Sequence, residues 1–89
     1  MGNNQEVLDG QEAQRILESE VYKSAMQALS DGYMSDWVNS RPHESEDREI
    51  AYKKLQILAD FVNEVKRVME TGKMAEKQSG VEQTIGTHY

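Results

Sequence analysis

The sequence predicts an all-α protein: an antiparallel helical hairpin with polar N- and C-terminal arms, completed by oligomerisation or by a partner. Three observations predict it. Apolar residues recur at three- and four-residue steps along two long stretches. The single proline, Pro42, falls between those stretches. The chain has 89 residues and no cysteine, so two helices have little core and no disulfide to hold them folded alone.

Residues 1–10 are polar, contain Gly2 and Gly10, and read as a flexible arm. The first helical pattern runs over about residues 11–39. Asp9 or Gly10 caps it, and Glu12 favours the positive helix end. Ile16, Leu17, Tyr22, Met26, Leu29, Tyr33 and Trp37 share one broad face, which Val21, Ala25 and Ala28 widen. Ser19 and Gly32 are its weak points. Ser19, followed by Glu20 and Val21, offers a cap for a second helix after a short first one. Residues 11–18 would then fold back separately, giving a three-helix monomer as the alternative. Gly32 costs about 1 kcal/mol relative to alanine without ending a helix.

A turn is expected near residues 40–43. Pro42 disfavours helical geometry at Arg41 and suits the start of the next helix. Glu44, Glu46, Asp47 and Glu49 crowd the opening turns, where the helix dipole favours acids. Glu49 precedes Lys53 by four residues, the better orientation for an ion pair. The second helix is expected over about residues 44–71. Ala51, Leu55, Leu58, Val62, Val65 and Met69 form a heptad seam. Ile50, Ile57, Phe61 and Val68 form a second stripe beside it, and two stripes are wider than one partner helix needs. Thr71-Gly72-Lys73 reads as a stop, with Gly72 at the left-handed position after the helix. Residues 73–89 read as a polar tail, in which Val81, Ile85 and Tyr89 recur every four residues.

Composition excludes several classes. No apolar run approaches the roughly 20 residues of a membrane span. The opening Met1-Gly2-Asn3-Asn4-Gln5-Glu6 lacks a basic or apolar leader, so an intracellular chain is expected. Gly2 suggests a myristoyl site, but Glu6 stands where Ser or Thr is expected. The net charge is -6, opposite in sign to the usual duplex-DNA binder. Residues 1–40 carry two basic against seven acidic groups, and residues 41–89 carry eight against nine. The acidic first half reads as a solvated helix face in preference to a DNA mimic.

No constellation for chemistry is found. His43 and His88 are the only histidines and read as surface residues. There is no phosphate-binding loop and no HExxH pattern. Asp31 and Asp36 are too sparse for a calcium loop. Glu18 and Glu20 lie on a helix with no pocket to tune an acid–base pair. No catalytic, metal-binding or cofactor-binding residue is therefore expected, and no enzyme. Lys53, Lys54, Lys66 and Arg67 are interleaved with acids and read as solvated, so nucleic acid is not the expected partner. Tyr22, Tyr33 and Trp37 read first as hairpin core and second as interface anchors. Met26, Met34 and Met69 read as adaptable packing. The expected protein-interface residues are Tyr33, Trp37, Leu55, Leu58, Phe61, Val62, Val65 and Met69.

From Arg15 to Lys77 the order of features is Ile16-Leu17-Glu18, then Val21, Tyr22, Ala25 and Leu29 on a helix, then Trp37. The turn Arg41-Pro42-His43-Glu44-Ser45-Glu46-Asp47-Arg48-Glu49 follows, then Tyr52, Leu55 and Leu58, closing on Glu70-Thr71-Gly72-Lys73. This order resembles small helical proteins of tailed bacteriophages encoded among head and packaging genes. The resemblance spans about two thirds of the chain and contains no catalytic motif. It implies a bacteriophage structural or assembly-associated protein, in the virion or the cytoplasm of the infected host. Its partners would be head, portal or capsid proteins and further copies of itself. The alternative is a DNA-packaging or regulatory helical module, such as a small terminase-type subunit or an acidic inhibitor of a host DNA-binding protein.

Overall fold

The computed structural model describes the backbone of residues 4–88 and the side chains of residues 4–78. Among the described residues the fold is all-α, with three helices and no strand: α1 (Asn4–Glu18), α2 (Glu20–Val38) and α3 (Ser45–His88). The chain forms two compact units. One comprises Ser19–Asn63; the other joins the residues up to Glu18 with those from Glu64 onward.

In the unit Ser19–Asn63, α2 starts at Ser19, whose extended backbone (φ -66°, ψ 129°) interrupts the helical hydrogen-bond ladder. Its Oγ accepts the Tyr22 backbone N–H at 3.3 Å. The hydroxyl thereby satisfies one of the donors that a helix start leaves unpaired. The single helix expected over residues 11–39 is thus two helices, because this cap competes successfully with helix continuation. Tyr33 and Trp37 on α2 meet Lys54 and Tyr52 on α3 respectively, so these two helices lie side by side and antiparallel. Ala51 is buried between the elements of this unit, while Leu55, Leu58 and Val62 are half-buried.

The turn between α2 and α3 is organised by Arg48. Its guanidinium donates to the Arg41 carbonyl at 2.5 Å and to the Pro42 carbonyl at 3.2 Å, and approaches Ser40 Oγ at 3.5 Å. Glu44 adds a reciprocal clasp. Its carboxylate accepts the Arg41 N–H at 2.7 Å, and its own N–H donates to the Arg41 carbonyl at 2.9 Å. Pro42 lies inside this turn, three residues before the first residue of α3. Lys53 and Glu49 do not form the ion pair that their spacing suggests; the ion pairs among the described residues are Lys23–Glu20 and Arg67–Glu64.

In the other unit, α1 packs on the later part of α3 through two glycines. A β-carbon on Gly72 would stand 2.6 Å from Gly10 Cα and 2.7 Å from the Glu6 carbonyl oxygen. One on Gly10 would stand 2.7 Å from Gly72 Cα. Ala13 and Ala75, three residues further along their helices, are also buried. Two expectations are corrected here. Residues 4–10 are the start of α1, not a flexible arm, because Gly10 lets this segment approach α3 backbone to backbone. Gly72 is not the left-handed stop of the second helix. It has ordinary helical geometry, no described glycine has positive φ, and α3 continues through the segment expected to be a tail. The spacing of Val81, Ile85 and Tyr89, together with His88, lies outside the described side chains.

Two predictions follow from this packing. Gly72→Ala gains helix propensity but drives a methyl group into backbone atoms, so net destabilisation of about 1–3 kcal/mol is expected. Gly32→Ala, with nothing within 4 Å of its added β-carbon, should stabilise, by about 1 kcal/mol. Thermal melts followed by circular dichroism test the pair, and the opposite ordering refutes the close approach. Arg48→Ala should cost about 1–3 kcal/mol, the worth of charge-assisted bonds to two carbonyls. Arg48→Lys, which lacks the forked guanidinium, should recover only part of that loss in urea unfolding.

Candidate interaction surface

Apolar side chains are distributed across these helices with little interior to receive them. Among the described residues the buried apolar ones are Ala13, Ala51 and Ala75, and no large side chain is fully buried. Val21 is 79% exposed, Ile57 66%, Phe61 51% and Ile50 50%. Leu8, Ile16, Leu29, Met34, Val38 and Met74 are exposed as well. Scattered exposed apolar residues are ordinary on a protein surface; the absence of any large buried side chain is not.

The expected interface residues divide by position. Tyr33, Leu55, Leu58 and Val62 are half-buried in the unit Ser19–Asn63, and Val65 and Met69 are half-buried in the other. Trp37 and Phe61 are exposed. The structure brings Tyr33 and Trp37 to the flank of α3. Trp37 meets Tyr52 edge to face, with ring centroids 5.4 Å apart at 65°. This is the favoured arrangement for two ring quadrupoles. Lys54 Nζ stands 5.6 Å from the Tyr33 ring centroid, within cation–π reach. Lys54 is therefore engaged with an aromatic ring, where the sequence read it as solvated.

Near the turn a concavity of about 350 Å³ is lined by Asp36, Glu44 and Asp47, with Ile50 and Lys54. It is open to solvent and holds no reactive pairing of side chains. No group of three or more His, Asp or Glu side chains is arranged to hold a metal ion among the described residues. Asp31 and Asp36 are each exposed, as is His43. Lys53, Lys54, Lys66 and Arg67 are exposed, and Arg67 is committed to Glu64 at 3.0 Å. The forked hydrogen bonds from Arg67, then its charge, hold the Glu64 carboxyl below the usual range, and Glu64 raises Arg67 in return.

Arg48 and the Gly10–Gly72 contact are the organising features that sequence reasoning missed. Arg48 falls among acidic residues and looks solvated, since nothing in its spacing reveals the carbonyls of the turn. Gly10 and Gly72 carried a signal. Each is followed three residues later by alanine, a small-residue step on one helix face. Among helices described here, none is long and apolar enough to cross a membrane. No protein-family model, curated protein or solved structure matches the chain.

Tyr22 supplies a local test. The residue is half-buried, yet its hydroxyl is shut off from water and has no hydrogen-bond partner. Tyr22→Phe removes a desolvated donor without opening a cavity, so stability should be unchanged or higher in urea unfolding. A loss above about 1 kcal/mol would mean that the hydroxyl has an acceptor.

Proposed function

We propose that the chain is a non-enzymatic bacteriophage structural or assembly-associated protein that docks through helix–helix contacts on head, portal or capsid proteins. The observation that supports this reading is the mismatch between apolar surface and interior: among the described residues only alanines are buried apolar side chains, while Ile50, Ile57 and Phe61 face solvent. An antiparallel hairpin in this condition is completed by another helix, since covering apolar area is the main favourable term open to it. The resemblance of the Arg15–Lys77 pattern to small phage head and packaging proteins supplies the class of partner. The aromatic pair Trp37–Tyr52 provides a large, stiff contact of the kind that anchors interfaces.

Binding of the purified chain to purified head, portal and capsid proteins tests the proposal, with labelled duplex DNA at low salt as the competing target. Saturable binding to one of the head proteins is expected. Leu58→Asp should abolish it by disrupting the hairpin seam. Phe61→Asp, at an exposed position, should weaken it at least tenfold while helical content stays constant. Salt-sensitive DNA binding without head-protein binding would transfer the assignment to a packaging module.

A further inference from the structure

We infer that the Ile50–Ile57–Phe61 face of α3 pairs with the same face of a second copy of this chain, antiparallel, about a point between Gln56 and Ile57. The three residues are spaced seven and four apart, so they lie along one line of the helix. That line is about 100° around the axis from the Ala51–Leu55–Leu58–Val62 seam, at 3.6 residues per turn. The seam is turned inward and the stripe is not: its three side chains are half or more exposed.

Charge selects the occupant. Lys53 and Asp60 lie on the same edge of the stripe, seven residues apart. Both are exposed, and neither makes an ion pair within its own chain among the described residues. Lys54, on the other edge, is already held over the Tyr33 ring. A parallel pairing sets the Lys53 edge of one copy against the opposite edge of the other, where Lys54 stands level with Lys53 and like charges meet. An antiparallel pairing about the Gln56–Ile57 point sets Lys53 opposite Asp60 twice, once on each side of the two-fold axis. At these two positions the surface complements itself, as a symmetric dimer interface requires, and Glu64, which falls level with Glu49 of the second copy, is already held by Arg67. Shape agrees with charge. The stripe has its widest opening between Ile50 and Ile57, about 10.5 Å along the axis. The same pairing brings Phe61 of the second copy level with Tyr52, into that opening.

The pairing rests on the proposed docking function only in that both require the hairpin to associate, and the test separates them. Sedimentation equilibrium of the full chain should show a monomer–dimer equilibrium. Lys53→Glu should weaken the dimer roughly tenfold, and adding Asp60→Lys to the same chain should restore it. The chain has no cysteine of its own, so single cysteines report the register. Ile57→Cys should form a disulfide dimer under mild oxidation. Ile50→Cys should react at least tenfold more slowly, because the two copies of residue 50 stand about 20 Å apart along the axis. Both positions are exposed, and circular dichroism verifies that the variants keep their helices. Faster crosslinking at residue 50 than at 57, or no rescue by the double charge reversal, overturns the pairing. A chain that binds head proteins but stays monomeric at all concentrations overturns the pairing and leaves the docking function standing. A dimer with the expected crosslink and no head-protein binding does the reverse.

Discussion

Helices in this protein meet where their side chains are smallest. Gly10 and Gly72 touch through their backbones, and among the described residues Ala13, Ala51 and Ala75 are the buried apolar side chains. A contact of this type gains dispersion energy from many backbone atoms brought to van der Waals distance. It gains little from removing large apolar groups from water, the main source of stability in most domains. The same constraint leaves the large residues at the margins, half-buried or exposed. The two-unit organisation, the exposed stripe of α3 and the appeal of a further helix all derive from it.

Polar groups take up part of the work that a core would otherwise do. The α2–α3 turn contains Pro42 and Glu44, and Glu46, Asp47 and Glu49 crowd the start of the helix that follows. Arg48 offsets this by donating to two successive carbonyls, and Glu44 clasps Arg41 from the other side. The cap at Ser19 resolves a similar problem at the start of α2 by satisfying an orphan N–H. These bonds specify where helices begin and end. They do not bury apolar area, so a chain stapled by them still presents surface to a partner.

That surface frames the functional proposal. A stable, specific interface needs a desolvated apolar centre with a polar rim. The Ile50–Ile57–Phe61 stripe, edged by Lys53 and Asp60, has both parts. A chain that dimerises by this stripe retains Trp37, Val21 and Leu29 as further exposed apolar residues for another protein. Phe61 serves both self-association and docking on a larger assembly, so the two contend for that end of the stripe.

The amino-acid order by itself determined the all-α class, the turn around Pro42, the inward seam Ala51–Leu55–Leu58–Val62 and the second stripe beside it. Each is written in a local period of 3.6 residues or in proline's missing donor, and local rules suffice to read them. Ser19 was visible as a weak point, but whether it would break the helix depended on competition between a side-chain cap and the continuing ladder. Tertiary structure decided what local rules leave open. Gly72 has the chemistry of a helix stop and of a close-packing position, and only the presence of Gly10 opposite it selects the second. Residues 4–10 look like an arm until a glycine permits them to lie on α3. Arg48 looks solvated until the chain reverses and places two carbonyls within its reach. In each case the deciding partner is distant in sequence, and the energy of a contact exists only once folding has brought its two halves together.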